Sequence, residues 1–419
     1  MRRDRQSTPE SPDIDGSARP GRVLLLMSEV YADGGIQRFN RTLLMACARL
    51  GVSCDVLALN DPEESRRRWE APPRISVRVF GRNRVRFVLA TLAALLSGRH
   101  ETIIVGHVNL LTLAVSALPL RRLRHVRLLL IAHGIEVWTC IHGRKRRAIR
   151  AVDTVMCVSH YTARTIQSQA PELNDHRFSV FPNALSETWI GKFSATDAPI
   201  PRERLPERFL LSVTRLDRNE RYKGIVTALE AFAMLSDPSL HYLIAGRGDD
   251  SAFLEQVAQR LDVADRVHFV GGVSDVELAD LYRSCVAFVL PSGKEGFGIV
   301  FLEAMYFGAP VIAAAAKGAV DVVQHEHTGM LVPYGDAAAL KHAMERLLCD
   351  SGLCERIREE GRRTVHGDGR FTFHAYVGRL ADILGISAPV SSTATPAPAP
   401  APAPEGDPER RARANRAGR

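Results

Sequence analysis

Short apolar runs alternate with helix-length segments along most of this chain, and that alternation restricts the fold more than any single motif. Residues 22–28 (RVLLLMS), 53–59, 102–106, 126–132, 154–159 and 178–181 read as strands. Residues 85–96, 109–118, 144–151 and 161–169 read as helices between them, and an amphipathic helix begins at Ile36. The pattern resumes with strands at 209–213, 241–245, 267–270 and 286–290, and helices at 224–235, 253–261 and 275–284. Apolar strands in strict turn with helices predict parallel sheets covered on both faces. At 419 residues the chain is long for one core, so two α/β domains are expected.

The densest stretch is 285–315, CVAFVLPSGKEGFGIVFLEAMYFGAPVIAAA. It reads as a buried strand, a loop at 291–297, and a helix at 298–307 stopped by Gly308 with Pro310 beyond. The helix has no polar face, so it should be buried, yet it carries Glu303. A lone carboxylate there needs a cation or a hydrogen-bond donor. That partner is either a nearby arginine or the adjacent hydroxyls of a ligand. Glu295 lies just before the helix N-terminus, where it either caps the helix or helps to form an anion and sugar site.

Charge is distributed unevenly. The formal net charge is +8, but residues 21–185 hold 24 Lys and Arg against 12 Asp and Glu, a net of +12. Residues 186–387 hold 22 against 28, a net of −6. A basic first domain suits an anionic partner: a phosphate-bearing acceptor, an acidic membrane surface or nucleic acid. Nucleic acid is disfavoured, because the cations are not interleaved with aromatics and no nucleic-acid motif occurs. Arg121, Arg122, Arg124, Arg144, Lys145, Arg146 and Arg147 are the cations expected to meet anionic headgroups or a lipid pyrophosphate, or else to form a solvated basic face.

The 7 cysteines are scattered, with no CxxC pair, and are expected as buried thiols. No apolar run reaches the length of a membrane span, and the first 20 residues lack the apolar core of a secretory signal. The expected location is therefore cytoplasmic, with peripheral attachment to the cytoplasmic face of the inner membrane as a further expectation. His325 and His327 lack a third ligand at a persuasive spacing, so no metal site is expected. A Walker A sequence and a G-x-S-x-G elbow are both absent.

Several candidate residues follow directly after strands, where open parallel sheets bind ligands. They are Gly34 and Gly35, His133, Arg215, Gly246 and Glu295. The Gly34–Gly35 turn either offers backbone amides to a phosphate or acceptor, or is a tight turn that needs glycine. Arg215 and Lys223, in VTRLDRNERYKG, are two cations able to bind phosphate oxygens, or belong to a solvated basic loop. His133 ends the apolar run LLLIAHG and on the residues alone reads as a buried imidazole bonded to backbone, with Glu136 either orienting it or lying on the surface.

The form P-S-x-x-E-G-F-G-x-x-x-x-E-A over Pro291–Ala304 closely resembles the donor motif of family 4 glycosyltransferases, a retaining family with the two-domain GT-B fold. The resemblance spans roughly 21–384. It implies a nucleoside diphosphate sugar as co-substrate, no separate cofactor or metal, and a hydroxyl acceptor, lipid-linked in one version. Residue by residue, it implies that Arg215 and Lys223 hold the diphosphate. Glu295, with the amides of Phe297, Gly298 and Ile299, holds the sugar. Glu303 holds the ribose, Val273 contacts the base, and His133 lies at the reaction centre. Ala184 stands where the family usually has the glycine of Pro-Asn-Gly.

The resemblance predicts a hexosyltransferase of polysaccharide or glycolipid synthesis, with same-face displacement as the favoured mechanism. The alternatives are a sugar-nucleotide epimerase or phosphorylase of related fold, or a non-enzymatic anion-binding module. The expected organisation is a disordered 1–20, an acceptor-binding domain at 21–185, a linker at 186–207 and a donor-binding domain at 208–370. A helix at 371–387 then crosses back onto the first domain, and 388–419 form a disordered Pro/Ala-rich and Arg-rich tail.

Overall fold

The computed structural model describes residues 21–387 except 33, 118–125, 140, 174–176, 192, 194–204 and 368. The expected disorder of 1–20 and 388–419, and the placement of Arg121, Arg122 and Arg124, lie outside the described residues.

In the first domain the elements run β1 (Val23–Met27), α1 (Gly35–Arg49), β2 (Cys54–Ala58), β3 (Ile75–Val79), α2 (Arg84–Leu96), β4 (Thr102–Val105) and α3 (Val108–Ala117). They continue with β5 (Arg127–Ala132), α4 (Ile135–Trp138), α5 (Gly143–Arg150), β6 (Thr154–Cys157), α6 (His160–Gln169) and β7 (Phe178–Val180), followed by α7 (Glu187–Gly191). The second domain has β8 (Arg208–Val213), α8 (Ile225–Ala233), β9 (Leu240–Ala245), α9 (Ser251–Arg260), β10 (Val267–Gly271), α10 (Asp275–Ser284) and β11 (Ala287–Leu290). Next come α11 (Ile299–Phe307), β12 (Val311–Ala314), α12 (Ala319–Val322), β13 (Met330–Val332), α13 (Ala337–Cys349), α14 (Ser351–Val365) and α15 (Phe373–Leu384).

The first sheet has 7 strands in the order β3-β2-β1-β4-β5-β6-β7, and the second has 6 in the order β10-β9-β8-β11-β12-β13. Every pairing between these strands is parallel. The two-domain parallel α/β class read from the alternation is the observed one. In each sheet the strand order reverses once, between β1 and β4 and between β8 and β11. Such reversals open a crevice beyond the carboxyl ends of the strands.

Local differences from the sequence reading have local causes. The strand expected at 154–159 ends at Cys157, because the Ser159 side chain accepts from the Thr162 amide and caps α6. The edge strand β3 was not read as a strand; its Ile75 is buried while Ser76 and Arg78 face solvent, so it lacks a continuous apolar run. Helix α15 packs on α1, with the Tyr376 ring 6.1 Å from Phe39 and 4.3 Å from Phe181. Arg127 donates to the carbonyls of Ile383 (2.7 Å) and Leu384 (3.0 Å) at its end.

Candidate active site

The loops after β8 and β11 are laced together. The amide of Gly293 donates to the Tyr222 carbonyl at 2.8 Å. Gly224 has φ +78°, and a Cβ there would lie 2.4 Å from the Pro291 carbonyl oxygen, so only glycine permits this approach. The lacing sets Lys223 against Glu295, Nζ to Oε1 2.6 Å, with 17% and 11% of the two side chains exposed. Arg215 pairs with Glu220 in its own loop and is largely exposed. Arg218 and Arg221 are tied to Asp249 and Asp250 at 2.7 and 2.6 Å. The Asp217 carboxylate accepts from the Asn219 amide, and no arginine among the described residues pairs with it. Arg215 and Lys223 line one shallow hollow. Burial, with Glu220 and Glu295 adding to it, pushes the Tyr222 phenol up to about 12.

Helix α11 begins immediately after this loop. Gly298, at φ +91°, is its N-cap, and no side chain caps the first turn, so the backbone amides of Ile299 and Val300 have no partner within the helix. Phe297 does not enter the crevice with its ring; it is buried edge-on against Phe371 at 5.4 Å.

Further along α11, Glu303 is 1% exposed. Its carboxylate pairs with Arg38, which projects from α1 of the opposite domain, and accepts from the Tyr282 hydroxyl at 3.3 Å. Arg38 also lies 3.7 Å from Asp275. Of the two partners the buried charge admits, the arginine is therefore present, and it comes from across the cleft. Arg38, Glu303 and Ile299 line a cavity of about 160 Å³ together with Tyr31, Trp69 and Trp189. Val273 is partly buried and stands two residues before Asp275, which lines this cavity. Glu303 thus lines a different hollow from Arg215 and Lys223. The two domains also touch near the first turn of α11.

Those contacts are close. Gly35 lies across from Ile299, 4.0 Å from where its Cβ would stand to the Ile299 Cγ2. The His133–Gly134 turn abuts the β11–α11 loop: a Cβ on Gly296 would fall 2.0 Å from the His133 carbonyl oxygen, and one on Gly134, at φ +133°, 2.8 Å from the Gly296 Cα. His133 is 9% exposed, with Nε2 3.0 Å from the Gly106 carbonyl oxygen and its ring edge-on to Phe39 at 4.9 Å. Burial lowers its pKa and favours the neutral ring. Donation from Nε2 to the carbonyl leaves Nδ1 as the acceptor. Glu136 accepts from the His133 and Gly134 amides at 2.6 and 3.2 Å, so it orients the turn rather than the ring.

A second set of interdomain contacts lies beyond this turn. Asp321, on α12, accepts from the Tyr161 amide at 3.2 Å and stands 3.3 Å from His160 at the start of α6. Lys317 donates to the Tyr161 hydroxyl at 2.6 Å. Among the described residues, no three His, Cys, Asp or Glu side chains group as metal ligands.

Comparison with known proteins gives these loops a family. The Glycosyltransferase Family 4 model matches residues 33–188, and the Glycosyl transferases group 1 model matches 195–364. A GDP-mannose-dependent alpha-(1-6)-phosphatidylinositol monomannoside mannosyltransferase of Mycobacterium tuberculosis is 31% identical over 280 residues, 62% of this chain and 69% of its own length. The chain belongs to the glycosyl transferases group 1 family.

Another relative of this glycosyltransferase, an uncharacterized glycosyltransferase MJ1607 of Methanocaldococcus jannaschii, is 32% identical over 160 residues, 38% of this chain. That match spans only 40% of the relative's length. Among solved structures, Alr3699/HepE of Anabaena in complex with UDP superposes with a TM-score of 0.69 at 20% identity, covering 87% of this chain and 99% of that one. The glycosyltransferase has the GT-B fold of that neighbour.

Sequence reasoning missed Arg38 and the Asp321–Tyr161–Lys317 contacts in this glycosyltransferase. The one available signal for Arg38 was its position three residues past Gly35 on the polar side of α1.

Proposed function

We propose that this glycosyltransferase moves a hexose from a nucleoside diphosphate sugar to a hydroxyl acceptor, in glycolipid or cell-surface polysaccharide synthesis. The observation that carries the reading is the Lys223–Glu295 pair at 2.6 Å, at the mouth of the α11 helix. It sets a cation for a departing diphosphate beside a carboxylate able to grip sugar hydroxyls. Arg215 is exposed on the same hollow and can swing from Glu220 to a phosphate, with two oxygens in reach of its fork. The first-turn amides of α11 add fixed dipoles where negative charge develops.

In this reading Glu303 exchanges Arg38 for the ribose hydroxyls, and Val273 and Asp275 border the base. A sugar nucleotide needs a pocket of roughly 300 Å³ or more, so it enters with the domains apart and the contacts re-form around it. His133 then faces the transferred sugar as a neutral group that orients hydroxyls. The leaving phosphate takes the acceptor proton on the same face of the sugar, retaining its configuration, and the two cations supply the charge without a metal. The basic first domain receives the acceptor.

The test is turnover of a panel of nucleoside diphosphate sugars by wild type, Lys223→Ala and Arg215→Ala. Loss of turnover in the variants, with native melting behaviour, supports the reading. Undiminished turnover in both removes it.

A further inference from the structure

Helix α2 turns an apolar stripe outward. Val85, Leu89 and Leu96 are 69%, 61% and 59% exposed, the three most exposed large apolar side chains among the described residues. Their spacing places them on one face at 3.6 residues per turn, and exposed Ala93 falls between them. The opposite face buries Phe87, Ala90, Thr91 and Leu95 against the protein. The outward stripe is therefore not the core-facing side of the helix.

Cations frame the stripe. Arg82, Arg84, Arg86 and Arg99 are all exposed around α2. Helix α2 packs on α3, and α3 on α5, in one layer over the same face of the first sheet. Exposed Arg144, Lys145 and Arg147 extend the positive surface along α5, while Arg146 and Arg150 are engaged by Glu172. Neither α2 (RVRFVLATLAALL) nor α5 (GRKRRAIR) contains an acidic residue.

We propose that this face is a docking surface for an anionic lipid bilayer, with Val85, Leu89 and Leu96 entering the acyl boundary and the arginines meeting headgroup phosphates. An outward apolar stripe framed by cations has the chemistry of an interfacial element. A second copy of the chain is the poorer occupant, because self-association of this face sets arginines against arginines. Helices α2 and α5 both start at the carboxyl ends of their strands, so their cationic ends lie on the cleft side of the layer. Docking by this face holds the cleft beside the headgroups. The surface stands apart from the transfer chemistry, so the test reads binding and not turnover.

Full-length protein is floated with phosphatidylcholine vesicles, with and without phosphatidylglycerol, at low and high salt. The expected result is co-flotation with the anionic vesicles only, weakened by salt. Removing two cations in Arg84→Ser/Arg86→Ser lowers the partition coefficient roughly 30-fold, from about 1 kcal/mol for each cation near the surface. Leu89→Ser/Leu96→Ser lowers binding at every salt concentration. Both sites are exposed, and an unchanged circular dichroism melt shows that each variant folds. Absence of flotation at low salt overturns the proposal. So does binding that both double variants retain in full, which assigns it to another surface. A wild-type dimer that Leu89→Ser/Leu96→Ser dissociates also overturns it, because the stripe is then a subunit contact.

Discussion

Replacing Arg38 with alanine strips the buried Glu303 carboxylate of its only cationic partner among the described residues, leaving the Tyr282 hydroxyl at 3.3 Å. Removing one member of a buried ion pair costs about 3–5 kcal/mol. Arg38 keeps 28% of its side chain exposed, so the lower end, about 3 kcal/mol, is expected. For domains of this size each kcal/mol lowers the melting temperature by about 2–4 °C, so Arg38→Ala should melt roughly 6–12 °C below wild type. The two partners come from opposite domains, so part of the loss should appear as a wider small-angle scattering profile, as the domains part to hydrate the charge. Removing the charge itself should undo both effects. Arg38→Ala/Glu303→Gln is expected to recover most of the melting temperature and the compact profile, giving a coupling near 2–3 kcal/mol in a double-mutant cycle. A coupling indistinguishable from zero would refute the claim that the two side chains share one buried contact across the cleft.

Other expectations follow from the same geometry. Gly134→Ala sets a Cβ 2.8 Å from the Gly296 Cα and strains a φ of +133°, so it should hold the domains apart; transfer should fall about 100-fold or more while nucleotide still stabilises the protein. Asp321→Ala frees the Tyr161 amide at the α6 terminus and should cost about 1 kcal/mol by denaturant titration. Burial lowers the pKa of His133, His107 and His366. The unfolded imidazoles bind protons below about pH 6.5 while the folded ones resist, so stability should fall as pH drops below that value. His133→Gln should show a shallower decline between about pH 7 and pH 5 than wild type.

Much of the second domain was legible because its signals are local. The apolar helix α11, its glycine termini at φ +91° and +79°, and the loop carrying Glu295 all lie within one continuous stretch. The alternation of runs likewise foretold parallel sheets, since a strand buried on both faces leaves few polar positions. Edge strand β3 and the polar helix α14 escaped for the converse reason: one has a solvent face, and the other has charged residues filling most of its turns. The Arg38–Glu303 pair joins residues 265 apart, and the Asp321–Tyr161 contact joins residues 160 apart. Sequence shows that a buried carboxylate needs a partner; only the packing of two domains supplies its identity.

The most direct measurement of the central claim is single-turnover release of nucleoside diphosphate from a panel of sugar nucleotides, comparing wild type with Lys223→Ala and Glu295→Ala. At least one donor should turn over with wild type, and each substitution should slow release by roughly 100-fold or more with the fold intact. Wild-type release that both variants match would contradict the assignment of this cleft to an activated sugar.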